Sequence, residues 1–460
     1  MITPVLDPGF VPAALWNRDF LNKVKEDPDS VELAISISRP NGVTFRYETK
    51  ILSSVKDNVA LNFRYVERLL KFLLWAKGGS RVLIHGDDAL TTRLAGSYSG
   101  NGARQFDNDT LGHKVFGEAI TILPARKEDL PDESQSAVAL GRNLDGCRIG
   151  FDLGGSDRKC AALIDGEVVY SEEVEWDPYF QKDPSYHYRG VLDSLMTAAG
   201  HLPKVDAIGG SAAGVYINNQ VRLASLFRGV TDHDTFKSSV EPMFTDLIGK
   251  HFPGTPFEIV NDGDVTALAG AMSLETNGVM GIAMGTSEAV GYVDLNGQVT
   301  PRLNELAFAP VDYRDGGPVD EWSGDEGCGA QFCSQQAVAR LTGAAGFDYG
   351  ELSFPEQLIE VQRAMEVGDE RAVKIYETLG TCFGYNLAHY AEFYDINTLI
   401  IMGRVTSGSG GDLLIDRARE VLQSEFPELA ETIRLTIPNE KMKRHGQAIA
   451  AASLPALNPN

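Results

Sequence analysis

Apolar and polar positions alternate along this chain with two distinct spacings, one for strands and one for helices. Residues 31–37 and 43–49 alternate around Pro40-Asn41-Gly42, which predicts a β-hairpin. Val66, Leu69, Leu70, Leu73 and Leu74 recur at helical spacing, so a helix is expected over 63–76, stopped by Gly78-Gly79. RVLIH at 81–85 reads as a short strand, and the polar stretch 124–141 reads as a linker. Residues 1–145 are therefore a mixed α/β segment, expected to stand as a separate domain, with no basic recognition helix of the kind a DNA reader needs.

The pattern then changes. Residues 148–159, RIGFDLGGSDRK, give an apolar run, then Asp152, Gly154, Gly155 and Ser156, and a returning strand over 160–164. Paired glycines at such a turn let a backbone come close to a phosphate, and Asp152 at the strand end can hold a metal through water. An ordinary hairpin turn is the plainer alternative. Residues 281–291, GIAMGTSEAVG, repeat the design about 130 residues later, with Gly285 and Thr286 at the turn. Each returning strand ends at a Gly-centred turn, Asp165-Gly166-Glu167 or Asn296-Gly297-Gln298. The duplication predicts two similar lobes, 146–276 and 277–445, gripping a polyphosphate between them.

Within the first lobe, helices are expected over 186–199 and 235–251. The small-residue run 209–214, with Gly210 and Ser211, suits a tight loop or close approach to a ligand. An apolar strand over 256–260 delivers Asn261-Asp262-Gly263-Asp264 at its carboxyl end, where α/β sheets meet their ligands, and a helix over 265–272 follows. The second lobe shows a strand over 307–311, helices over 328–341 and 371–393, and a buried strand over 398–402 that runs into Gly403 and Arg404. A helix over 412–426 follows, an arrangement suited to the nucleoside or phosphate end of a ligand. A last small-residue helix over 446–454, in the tail 446–460, is assigned to the first lobe.

Composition narrows the classes. A net charge of −23 argues against a nucleic-acid partner. No run has the length of a membrane helix, and the first twenty residues lack the pattern of a signal peptide. Five cysteines, few and odd in number, suggest reduced thiols and a cytoplasmic location. Cys328 and Cys333 stand without a second pair or a nearby histidine, so no zinc site is expected.

Taken together, these segments resemble the ROK family (repressor, open reading frame, kinase) of the actin-like ATPase and sugar kinase superfamily, over residues 148 to about 455. DLGGS at 152–156 looks like its first phosphate motif, MGTSEAVG at 284–291 its second, IIMGRV at 400–405 its adenosine motif, and VNDGD at 260–264 its catalytic segment. The resemblance implies an α/β fold of two actin-like (ribonuclease H-like) lobes, with ATP and Mg2+ between them and a sugar or aminosugar in the cleft. It makes Asp262 the general base, with Asn261, Gly210 and Ser211 at the sugar. Asp152 becomes the metal ligand. Gly154, Gly155, Ser156, Gly285 and Thr286 line the phosphates, and Gly403 and Arg404 lie against the nucleoside.

The chain also departs from the family. The histidine and cysteine cluster that binds zinc is missing, and Ala330 stands where a sugar-binding Glu is expected. Asp325 and Glu326 are the carboxylates nearby, either as replacements or as a solvated loop. Glu288 adds a negative charge to the second phosphate motif, which repels phosphate unless it points away or holds the metal. Two functions follow: an ATP-dependent sugar kinase, or a sugar- or nucleotide-binding regulator of the same fold without catalysis. A repressor-like regulator is disfavoured by charge. Whether the chain forms a homodimer stays open.

Overall fold

The computed structural model describes residues 1–134, 140–438 and 446–457. The linker expected over 124–141 and the tail 446–460 therefore fall partly outside the described residues.

The chain opens with helix α1 (Ala13–Glu26). The alternation around Pro40-Asn41-Gly42 folds into strands β1 (Val31–Ser38) and β2 (Thr44–Ile51), paired antiparallel. Helix α2 (Val59–Lys77) carries the apolar stripe and ends at Gly78, whose φ of 77° lies in the left-handed region that glycine enters at little cost. Strand β3 (Arg81–His85) pairs with β1, helix α3 (Asp88–Ser97) follows, and β4 (Thr121–Pro124) pairs parallel with β3, giving the order β2-β1-β3-β4.

The first lobe holds β5 (Cys147–Leu153), β6 (Asp157–Ile164), β7 (Glu167–Glu175), helix α4 (Ser185–Ala199), β8 (Ala207–Ala212), a small hairpin of β9 (Val215–Ile217) and β10 (Gln220–Leu223), helix α5 (Met243–His251), β11 (Phe257–Asn261) and helix α6 (Asp262–Ser273). The second holds β12 (Val279–Met284), β13 (Glu288–Val293), helices α7 (Gln335–Ala345), α8 (Phe354–Glu366) and α9 (Glu370–Tyr390), β14 (Thr398–Met402), helices α10 (Gly408–Glu425) and α11 (Pro427–Thr432), and β15 (Arg434–Thr436). Helix α12 (Gly446–Ala452) closes the described chain.

The duplication is topological as well as sequential. β5 pairs antiparallel with β6 and parallel with β8, and β8 parallel with β11. In the same way β12 pairs antiparallel with β13 and parallel with β14, and β14 parallel with β15. Helix α12 lies on the first sheet because two glycines leave it room: a Cβ at Gly150 would meet the Ala448 carbonyl at 1.8 Å, and one at Gly209 the Ala451 carbonyl at 1.7 Å.

Several expected boundaries move. Residues 209–212 continue strand β8 instead of forming a loop. Residues 306–308 form a single 3-10 turn, not a strand over 307–311. The helix expected from 328 begins at Gln335, capped by Ser334, and the one expected from 412 begins at Gly408. Helix α6 starts at Asp262, three residues before the expected start, so Asp262 and Asp264 lie in its first turn. Apolar or small residues run past the observed limits around 309–311, 328–333 and 408–411, and at α6 two acidic residues precede the apolar run, so periodicity alone does not mark where the backbone hydrogen-bond pattern begins or ends.

The extension has its own sheet but no core of its own. Ile35, Leu70, Trp75 and Ile84 belong to one continuous apolar cluster with Leu306, Phe332, Phe383 and Ile401 of the second lobe. The first lobe keeps a distinct core around Phe151, Leu195, Phe244 and Ile259.

Candidate active site

The expected catalytic segment is built from a strand running straight into a helix. Asn261 ends β11 and caps α6: its Oδ1 accepts from the Gly263 amide at 2.7 Å. Its Nδ2 donates to the Gly214 carbonyl at 2.7 Å, which ties β11 to the turn after β8. Asp262, the first residue of α6, is half-buried, and its Oδ1 accepts from the Gly263 amide at 3.0 Å. Burial pushes its carboxyl above the ordinary range, against that hydrogen bond.

Three further carboxyls feel its charge. Asp152, at the end of β5, is pushed up to about 6 by burial, eased by the Ser211 hydroxyl and reinforced by Asp262. That hydroxyl donates to Asp152 Oδ1 at 2.6 Å. Glu305 is raised to about 7 by burial and by Asp262. Asp264 reaches about 7 through burial, although it accepts from the Tyr292 amide at 3.0 Å and from Asn304 at 2.8 Å. Among the described residues no group of three His, Cys, Asp or Glu side chains is placed to hold a metal ion. Asp152 is a single buried carboxylate, which fits a Mg2+ held mainly by phosphates and waters.

Glu305 is the residue that sequence reasoning missed. It follows Asn304, whose φ is +58°, in a polar pair set between Leu303 and the apolar run 306–311. That interruption was the available signal.

The second hairpin meets this segment directly. A Cβ at Gly291 on β13 would stand 2.0 Å from the Gly263 carbonyl. This backbone contact sets Asp262 beside the strand that leaves Gly285 and Thr286. The Gly285 amide donates to the Ser287 carbonyl at 3.0 Å, and Thr286 and Ser287 are exposed. Gly403 has a φ of 102°, and a Cβ on it would stand 2.4 Å from the Met284 carbonyl oxygen, so the strand end bearing Gly403 and exposed Arg404 abuts the second hairpin turn.

Glu288 does not face this turn. It is 4% exposed, its Oε1 accepts from Tyr390 at 2.9 Å, and burial pushes its carboxyl up to about 8. The acid is protonated at neutral pH and directed into the second lobe.

At the first turn, the Gly154 amide donates to the Asp157 carbonyl at 2.9 Å, Trp176 Nε1 donates to the Gly154 carbonyl at 2.8 Å, and Ser156 is exposed. The close approach that Gly155 permits is to Tyr179, whose hydroxyl would lie 2.0 Å from a Cβ there. Two expected sugar contacts sit elsewhere. Gly210 is inside β8, and a Cβ on it would strike Phe151 and Ile259 at 2.3 and 2.6 Å, so its smallness serves the core. Glu326 accepts from the Gly316 amide at 3.0 Å, and its carbonyl takes a bond from Arg68 at 3.3 Å. Neighbouring Asp325 is committed to Lys71 and Arg104. Cys328 and Cys333 are both buried, with thiols raised by burial.

A cavity of 410 Å3 lies along the free edge of β11, lined by Asn261 and Asp264, the hairpin 214–219, the segment 299–303 and the tip of the β1–β2 hairpin.

No family model and no curated protein sequence matches this chain. Solved structures do. A ROK hexokinase from Thermus thermophilus aligns over 66% of this chain and 96% of its own, at 19% identity and a TM-score of 0.52. This chain has the fold of that ROK hexokinase. A ROK family glucokinase from Streptomyces griseus, in complex with glucose and AMPPNP, covers 67% of this chain and 98% of its own at 19% identity and a TM-score of 0.46. A ROK family transcriptional regulator, homologous to the E. coli MLC protein, covers 68% of this chain and 79% of its own at 18% identity and a TM-score of 0.49. The duplicated hairpin sheets are thus the two lobes of the ROK, actin-like fold, to which this chain adds its N-terminal sheet. No helix among the described residues is long and apolar enough to cross a membrane.

Proposed function

We propose that this protein is an ATP-dependent sugar kinase that transfers a phosphoryl group to a sugar or aminosugar hydroxyl. The observation that carries this reading is the position of Asp262. It stands at the junction of β11 and α6, where Asp152, Asp264 and Glu305 feel its charge, and beside the second hairpin through the Gly263–Gly291 contact. Phosphoryl transfer needs a base at the attacking hydroxyl and fixed groups around the phosphates. A carboxyl raised by burial is a stronger base than a solvated one, and Asp262 takes the hydroxyl proton in this reading. Asn261 holds the turn that aims it, and Glu305 accepts from a second hydroxyl. Asp152 would hold Mg2+, which supplies charge neutralisation at the phosphates. Gly154, Ser156, Gly285 and Thr286 offer the phosphate-lining turns, and Gly403 and Arg404 the nucleoside end.

The test is phosphoryl transfer from ATP across a panel of sugars, with Asp262→Asn as the variant. Sugar binding is expected to survive while the rate falls by roughly two to four orders of magnitude. Near-normal turnover of Asp262→Asn would overturn the assignment. A second reading, a binder without catalysis, is favoured by Tyr179 against Gly155, which takes up space beside the first phosphate turn. Ligand binding with no transfer to any sugar would select it.

A further inference from the structure

Among the described residues the buried cations are matched by carboxylates, with the exception of Arg39. Lys71 and Arg104 each meet two carboxylates, Arg148 meets Asp145, and Arg158 meets Asp193. Arg39 is 6% exposed, yet among the described residues no carboxylate pairs with it. Its Nε donates to the Gly78 carbonyl at 3.2 Å and its Nη2 to the Lys77 carbonyl, and its guanidinium lies 5.5 Å from the ring centres of Phe45 and Phe116. Two of its five N–H donors are thereby placed. Arg302 is likewise without a carboxylate among the described residues. It lies over Tyr292 and Tyr394 and donates to the Phe393 carbonyl at 3.1 Å.

Both arginines line the 410 Å3 cavity beside the catalytic segment. So does Thr300, which is 9% exposed and whose Oγ1 is buried without a hydrogen-bond partner. The remaining polar lining includes Asn41, Tyr216, Asn218, Glu258 and Asp264, while the amides of Asn219 and Asn261 are committed to backbone partners. A volume of 410 Å3 lies in the range of small-molecule sites, about 300–1,000 Å3.

We infer that this cavity binds the anionic group of a polyhydroxylated acceptor, a sugar acid or a sugar phosphate, through Arg39 and Arg302. The inference deepens the kinase reading and rests on it only for the hydroxyl that is phosphorylated; of the segment 260–264, Val260, Asn261 and Asp264 line this cavity. The geometry explains why the extension belongs to the enzyme. Arg39, Asn41 and Val43 come from its β1–β2 hairpin, Arg302 from the second lobe, and Asn219 and Glu258 from the first. The extension thus supplies a wall to a pocket that the two lobes leave open. Burial lifts the Glu258 and Asp264 carboxyls, the latter to about 7, which reduces the negative charge an incoming anion meets. Burial lowers the Arg39 guanidinium only to about 10, so it stays charged at neutral pH.

The experiment is calorimetric binding of glucose, glucuronate and glucose 6-phosphate to the full chain without nucleotide. At least one of the two anions is expected to bind ten-fold or more tightly than glucose. Which anion wins separates carboxylate from phosphate recognition. Arg302→Gln should abolish the preference. Asn41→Trp, an exposed-tip change that fills the cavity while leaving the core intact, should weaken binding of the preferred anion. Equal or tighter binding of glucose, or a preference that survives both variants, overturns the inference. Preferred binding of an anion that is never phosphorylated would leave the site standing and sink the kinase reading. Efficient phosphorylation of neutral sugars with no anion preference would do the reverse.

Discussion

Lys71 and Asp325, 254 residues apart in the chain, meet at 2.6 Å inside the protein. Lys71 also meets Asp107 at 2.7 Å, and Arg104 joins Asp325 to Glu67. Trp75 Nε1 donates to Asp107 at 2.9 Å. Burial alone would raise the Asp325 carboxyl, but the charges of Lys71 and Arg104 outweigh it and hold it below the ordinary range. This network anchors the loop before Cys328 to the extension.

Removing one member strands the others. Lys71→Met is expected to lower stability by about 3–5 kcal/mol, because Asp107 and Asp325 remain buried without their shared cation. Chemical denaturation checks this, and a loss below about 1 kcal/mol would show that the network is not fully desolvated.

Glu288 predicts a pH dependence of stability. Its carboxyl is raised from 4.5 to about 8, so between these values the folded protein holds a proton that the unfolded chain has released. Stability should be fullest below about pH 4.5 as far as this group is concerned, and decline as pH rises through about 8. Glu288→Gln keeps the acceptor for Tyr390 and removes the titration. Its melting temperature should vary less between pH 5 and 9 than that of the parent, a difference on the order of 4 kcal/mol at the alkaline end. Parallel curves for the two proteins would contradict the buried, protonated state.

Gly291 is the contact that holds the segment 261–264 against the second hairpin. Gly291→Ala places a methyl against the Gly263 backbone, which must shift. With the kinase reading, kcat should fall ten-fold or more while nucleotide affinity changes little, since a small misplacement of a base is costly in rate. Gly281→Ala on β12, where a Cβ meets atoms no nearer than 3.6 Å, is the control and should be mild.

Glu305→Gln separates sugar contact from chemistry. The amide still accepts from a hydroxyl but carries no charge, so KM for the sugar should rise several-fold with kcat less affected. An equal loss in kcat and kcat/KM would instead place Glu305 in the transition state.

With the kinase reading, Asp262 sets the acid limb of the rate. The base must be ionised, and burial raises its carboxyl above the ordinary range. The value of kcat/KM should therefore fall as pH drops, beginning above the ordinary carboxylate range. A rate unchanged down to pH 4 would exclude Asp262 as the base.

Much of this was legible in the sequence, because it rests on local patterns. The hairpins at 152–156 and 285–286, the strand 398–402 and the strand that ends at Asn261 are marked by apolar runs and glycine turns, and these constrain backbone without reference to distant residues. The order of those motifs carried the two-lobed fold. What the sequence left undecided are relations between distant surfaces. Glycine at 210 and glycine at 155 read alike, but one fills a core beside Phe151 and the other receives Tyr179. Glu288 read as a charge at a phosphate turn. Only the packing of Tyr390 and the second-lobe core around it turned the side chain inward and protonated it. The extension read as a separate domain, yet its apolar face is completed by residues more than two hundred positions later. Periodicity shows that a face is apolar. Which face it meets is decided by tertiary packing, and here that packing brought Arg39, Arg302 and Asn261 around one cavity.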